Sequence, residues 1–146
     1  MDLETSVKKC IETSIERDRL HNEIEFLRNK VYEEKLGEIA DEELLDKYRR
    51  TIQKTLCNFE DAKRQAIEEK RIFNNILNES TLENGKQVLK KLEEAIGSLS
   101  QLIDENGKET KIGVSSRISY CKTYHYYIAS HFGLQLLPDF IKKLKS

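Results

Sequence analysis

Cys121 and His125 stand four residues apart, so on a helix they share one face. A thiol beside an imidazole could act as a nucleophile and its base, or as two ligands of a zinc ion. His131 is the third candidate ligand, but at 100° per residue it falls about 120° away from His125, and no fourth ligand is near. The pair also lies among apolar residues, where burial raises a thiol's pKa and leaves it inert, so core packing is the preferred reading. Asp18 and His21 make a D-x-x-H turn. A diiron bundle needs two E-x-x-H turns and inward glutamates, and the second turn is missing, so His21 reads as a polar seam residue that helps set register. Gly107-Lys108-Glu109-Thr110 lacks the first glycine of a phosphate loop and the strand before it, which leaves a turn. H-E-x-x-H and G-x-S-x-G patterns are absent. The expectation is a protein that is not an enzyme and has no metal or cofactor, with a helical-bundle enzyme or metal protein using Cys121 and His125 as one rival.

Tyr120, Tyr124, Tyr126 and Tyr127 crowd one segment beside Arg117 and Lys122. Aromatic platforms in a cationic groove stack single-stranded bases, and tyrosines are also enriched at protein interfaces. Residues 110–146 hold six basic side chains against Asp139 alone, a net +5, whereas residues 33–46 hold seven acids against Lys35, a net −6. A nucleic-acid binder working through Lys142, Lys143 and Lys145 is therefore a second rival. It ranks below a protein-binding face because only two cations lie among the tyrosines.

These residues must be carried by helices. Leu45, Tyr48, Ile52, Thr55, Phe59, Ala62, Ala66, Glu69, Phe73 and Ile76 follow one another in alternating steps of three and four, which predicts a coiled-coil seam on a helix from about residue 41 to 77. Asp41 is its expected N-cap, with Glu42 and Glu43 at the positive end of the dipole. Residues 2–35 also read as helix, with one stripe at Leu3, Val7, Cys10, Ile11 and Ile15 and another at Leu20, Ile24, Leu27 and Val31. The stripes are out of phase. The helix must shift its contact face or carry a polar layer at Ser14, Arg17 and His21. Gly37 and its neighbours are short enough to turn the chain into an antiparallel hairpin.

A third helix is expected from the capping box Ser80-Thr-Leu-Glu83, with a seam at Leu82, Gly85, Leu89, Leu92, Ile96, Leu99 and Ile103. Gly85 and Gly97 weaken it by roughly 1 kcal/mol each relative to alanine. A small Asn-Gly hairpin fits between Ile103 and Ile112. From about Ser115 a fourth helix carries Ile118, Cys121, His125, Ile128 and Phe132 on one face and Tyr120, Tyr124, Tyr127 and His131 on the adjacent one. Gly133 caps it, and Pro138 opens a short final helix with Phe140, Ile141 and Leu144 on one side.

Composition bounds the rest. The chain has 146 residues, 35% charged and 38% hydrophobic, with one proline and no tryptophan, which fits an all-α protein. A net charge of −1 provides no overall field toward nucleic acid or anionic lipid. Met1-Asp2-Leu3-Glu4 has no basic region leading into an apolar core, so we expect no secretory leader and a mature chain that starts here. The longest uncharged stretch, Thr123 to Leu137, is polar-interrupted and shorter than the ~20 residues of a membrane span. Three widely spaced cysteines, Cys10, Cys57 and Cys121, suit free thiols in an intracellular compartment, cytoplasmic or nuclear.

A compact globule of this length is about 40 Å across, but a helix of about 37 residues reaches about 55 Å. Residues 1–78 hold 33 charged side chains, so each long helix offers only a narrow apolar stripe. A third helix of about 24 residues covers roughly half the rod at 1.5 Å per residue. The shortfall predicts a partner: another helical protein, or a second copy in a homo- or hetero-oligomer. The expected architecture is a long antiparallel coiled-coil hairpin (residues 1–78) with a smaller C-terminal helical part (residues 79–146) packing on the hairpin or on a partner. The expected function is an interaction subunit or adaptor of a multiprotein assembly, of the kind common in cytoskeletal and chromosome-segregation complexes. Its expected anchors are Phe59, Phe73, Tyr120, Tyr124 and Tyr127.

Overall fold

The computed structural model describes residues 1–37 and 41–138. The fold is all-α, and the described residues form four helices: α1 (Leu3–Leu36), α2 (Glu42–Glu79), α3 (Leu82–Ser100) and α4 (Val114–Phe132). Helix starts follow from side chains that satisfy the free amides of a first turn. Asp2 accepts from the Thr5 N–H, and Asp41 from Glu43 and Leu44. Ser80, expected to open α3, instead closes α2, its hydroxyl donating to the Ile76 carbonyl at 2.6 Å. Thr81 caps α3 by accepting from the Asn84 N–H. Both residues can cap, and the two-residue turn between the helices gives each of them one end to serve. α4 has no such side chain at its N-cap, the left-handed Gly113, and the Glu109 carboxylate takes the Ser115 N–H at 2.9 Å instead. At the other end Gly133 is again left-handed, and the Leu134 N–H reaches the Ala129 carbonyl at 2.8 Å in a Schellman arrangement. The expected hairpin between α3 and α4 is a tight turn with one bridge, Ile103 to Glu109, around the left-handed Gly107. The short final helix expected from Pro138 onward, with Phe140, Ile141 and Leu144, falls on residues outside the described ones.

α1 and α2 run antiparallel, as the Cys10 thiol donating to the Glu69 carbonyl and the His21 ring against Phe59 fix along their length. Every position of the α2 seam is buried or half-buried. α3 and α4 fold back on their own chain. Lys91 of α3 pairs with Glu4 of α1, and Arg117 of α4 with Glu12. α4 runs antiparallel to α1, with Tyr120 at Asp18 and Tyr124 at Cys10, and antiparallel to α3, with His125 at Glu93 and Phe132 at Gly85, which leaves α3 parallel to α1. One core joins all four helices, built on Leu3, Val7, Phe73, Leu92, Tyr124 and Ile128 among others. Gly85 sits where α3 meets the Phe132 ring: a Cβ there would lie 2.4 Å from a ring carbon, so any other residue would have to push the ring aside. The α3 seam is rotated slightly from expectation, with Val88 buried and Leu82 exposed.

That four-helix body ends at a polar layer. Ser14 is buried, and the Tyr120 hydroxyl donates to Asp18 and accepts from Arg17 at 2.9 Å. Beyond it, residues 19–36 of α1 and 42–61 of α2 continue as two helices alone, at 1.5 Å per residue about 27–30 Å of arm. The two stripes of α1 correspond to these two environments. Leu3 to Ile15 faces the four-helix core, and Leu20, Ile24 and Leu27 are buried outside it, in the arm.

The ion pairs of Glu4 and Glu12 tie the second hairpin to α1. Lys91 beside Glu4 and Arg117 beside Glu12 hold both carboxyls below their ordinary range. A depressed carboxylate pKa adds stability above the unfolded-state value and loses it as pH falls through the folded one. Unfolding midpoints in urea should therefore fall as pH drops from 6 toward 3, and Glu12→Gln should flatten part of that slope. An unchanged slope in the variant would remove Glu12 from the linkage.

Candidate functional site

The aromatic residues of α4 separate by depth. Phe73 and Tyr124 are 1% and 5% exposed and meet edge to face at 5.0 Å inside the core. The Tyr124 hydroxyl faces the Cys10 thiol, and burial pushes the pKa of both groups up. Neither ring can anchor another protein in the chain as folded, which corrects the expectation for these two positions. Sequence spacing placed Phe73 on the seam but could not say that α4 roofs it.

Tyr120, Tyr127 and Phe59 are half-buried. Tyr127 packs edge-on against Tyr124 at 5.6 Å, and the Lys70 ammonium lies 5.2 Å over its ring. A groove of about 320 Å³ runs between α1, α2 and α4, with Arg17, Ile67, Lys70, Tyr120 and Tyr127 in its walls. Tyr127 forms a ridge between this groove and a second one bounded by Asn74, Asn78 and His131. The Tyr120 hydroxyl is held between Arg17 and Asp18, and burial, then Asp18, raises its pKa. Ile67 is an exposed apolar residue missed by the seam pattern, since it lies off the α2 stripe. Phe59 lies in the arm, with His21 on one side and Lys63 5.3 Å from its ring.

The arm is the larger surface. Val31, Leu44, Tyr48, Ile52 and Leu56 line its seam half-buried, and Phe26, Tyr32 and Leu36 are 60%, 65% and 68% exposed. Among the described residues no other helix covers this stretch. Lysine ammonium groups lie over two of the arm's rings, Lys30 5.5 Å from Phe26 and Lys63 5.3 Å from Phe59.

The residues considered for catalysis or metal binding sit elsewhere. His125 is 1% exposed, with Nε2 3.0 Å from Glu93 Oε1 on α3 and no hydrogen-bond partner for Nδ1. Burial raises the Cys121 thiol's pKa. His131 is exposed and meets the Phe132 ring edge to face at 4.7 Å, separate from the pair. Among the described residues, no three His, Cys, Asp or Glu side chains are grouped to hold a metal ion. Cys10 and Cys121 are buried thiols and Cys57 an exposed one. No described helix is long and apolar enough to cross a membrane. Lys142, Lys143 and Lys145, on which nucleic-acid binding would depend, lie outside the described residues. The chain matches no protein-family model, no curated protein and no solved structure.

Proposed function

We propose that the chain is a non-enzymatic interaction subunit or adaptor of an intracellular multiprotein assembly. It binds through the coiled-coil arm and, secondarily, through the aromatic groove beside Tyr127. The observation that carries this reading is the arm itself. Its two helices leave a half-exposed apolar seam along about 27–30 Å that α3 and α4 stop short of. A buried interface made from such a seam draws its affinity from a few aromatic anchors, for which Phe26, Tyr32, Phe59 and Tyr127 are placed. The three free thiols suit a reducing compartment.

Two surface variants test it. Phe26→Ala with Tyr32→Ala and Leu36→Ala removes the exposed arm residues, and Ile67→Ser with Tyr127→Ala removes the groove wall. Recovery of bound protein from cell extract should fall at least tenfold for the arm variant, with helicity and melting close to the parent. Recovery unchanged in both variants would overturn the reading.

A further inference from the structure

We infer that the arm binds a second copy of this chain, two arms lying side by side and antiparallel so that the acidic tip of each covers a basic collar on the other. This rests on the arm being an interaction surface, and it names the partner. At the tip, the described residues Glu33, Glu34, Asp41, Glu42, Glu43 and Asp46 stand against Lys35 alone, a net −5. The collar behind it comprises residues 24–31 of α1 and 47–57 of α2. There Arg28, Lys30, Lys47, Arg49, Arg50 and Lys54 stand against Glu25 alone, a net +5. The antiparallel hairpin puts both halves of the collar at the same height, because α1 and α2 pair as Cys10 with Glu69 and His21 with Phe59.

Within one chain these charges are only partly neutralised. Lys30 pairs with Glu33, Arg50 with Asp46 and Arg28 with Glu25. Among the described residues Glu42, Glu43, Lys47, Arg49 and Lys54 make no ion pair. A surface with one sign beside the other along a single axis is complementary to itself when inverted, which is the requirement of an isologous twofold interface. The apolar residues fall in the same register. Tyr32 lies at the boundary of tip and collar, beside the twofold axis, and Phe26 of one copy comes level with Leu36 of the second copy.

An overlap of about 25 Å by two helix widths of about 10 Å each covers about 500 Å² per copy, about 1,000 Å² in total. That is at the small end for a specific interface, so the dimer should form as concentration rises and not at high dilution. Ion pairing across it is screened by salt.

The test exchanges the charges. A tip variant carries Glu33→Lys, Glu34→Lys, Glu43→Lys and Asp46→Lys. A collar variant carries Lys47→Glu, Arg49→Glu, Arg50→Glu and Lys54→Glu. Sizing with mass detection should show the parent chain moving from 17.1 kDa toward twice that mass as concentration rises, and returning in 0.5 M salt. Each variant alone should stay monomeric, and an equimolar mixture of the two should dimerise again, since each then offers the sign the other lacks. The salt response of the parent gives an answer even if a variant folds poorly. A parent monomeric at every concentration overturns self-association, while loss of extract proteins from the Phe26, Tyr32, Leu36 variant would still support the broader reading. A dimer indifferent to salt and to both charge exchanges overturns this interface as well.

Discussion

Replacing Phe73 by alanine should lower the unfolding free energy by about 3–5 kcal/mol, the range for a fully buried phenylalanine whose cavity cannot fully collapse. Phe73 heads the largest fully buried side chains and meets Tyr124 edge to face. The alanine variant loses the transfer energy of the ring, the packing of its surroundings and an aromatic pair contributing about 0.5–1.5 kcal/mol. For a chain of this size the midpoint of thermal unfolding should drop by roughly 10 °C. Phe59→Ala should cost far less, because that ring is half-buried in a two-helix seam. Equal losses at the two sites, measured by urea unfolding, would contradict the division into body and arm.

The second large effect is Ile24→Asp. Ile24 is buried solely by the α1–α2 pair, together with Leu20, Leu27, Leu45 and Thr55. A carboxylate there has no paired cation, and burying it costs several kcal/mol. So short a seam has little to set against that, so residues 19–36 and 42–61 should fray while the four-helix body persists. About a third of the helical ellipticity at 222 nm should disappear. Hydrogen exchange should show protection lost in the arm and kept around Phe73 and Ile128. Global unfolding would mean that arm and body fold as one unit; retained arm protection would mean that Ile24 is not sealed in.

Much of this architecture was legible in the residue pattern, and the reason is local. The α2 seam lies against α1 along its whole length, so its three-four spacing can be read from that one pairing even where α4 adds to it. The phase break in α1 was equally readable, and it marks the level at which two of four helices stop. What periodicity cannot report is how many helices cover a face. Phe59 and Phe73 occupy equivalent seam positions, yet α4 seals one and leaves the other at the surface. Tyr124 and Tyr127 differ in the same way, separated by the packing of α4 against Phe73. Gly85 reads as a weak point of α3 until Phe132 is found against it. The α3 start moved by one residue because Ser80 and Thr81 have nearly equal capping chemistry and only the turn decides between them. The groove beside Tyr127 draws on three helices distant in sequence, and no spacing rule joins Arg17, Ile67 and Tyr120.

The polar layer at Ser14, Arg17, Asp18 and Tyr120 also determines how the protein can move. α1 and α2 cross that level unbroken, so the arm continues the body as a lever: a tilt of about 10° at its root carries an end about 28 Å away through about 5 Å. Breaking the Tyr120 clasp would thus alter the reach of the acidic end far more than the position of any residue near the break.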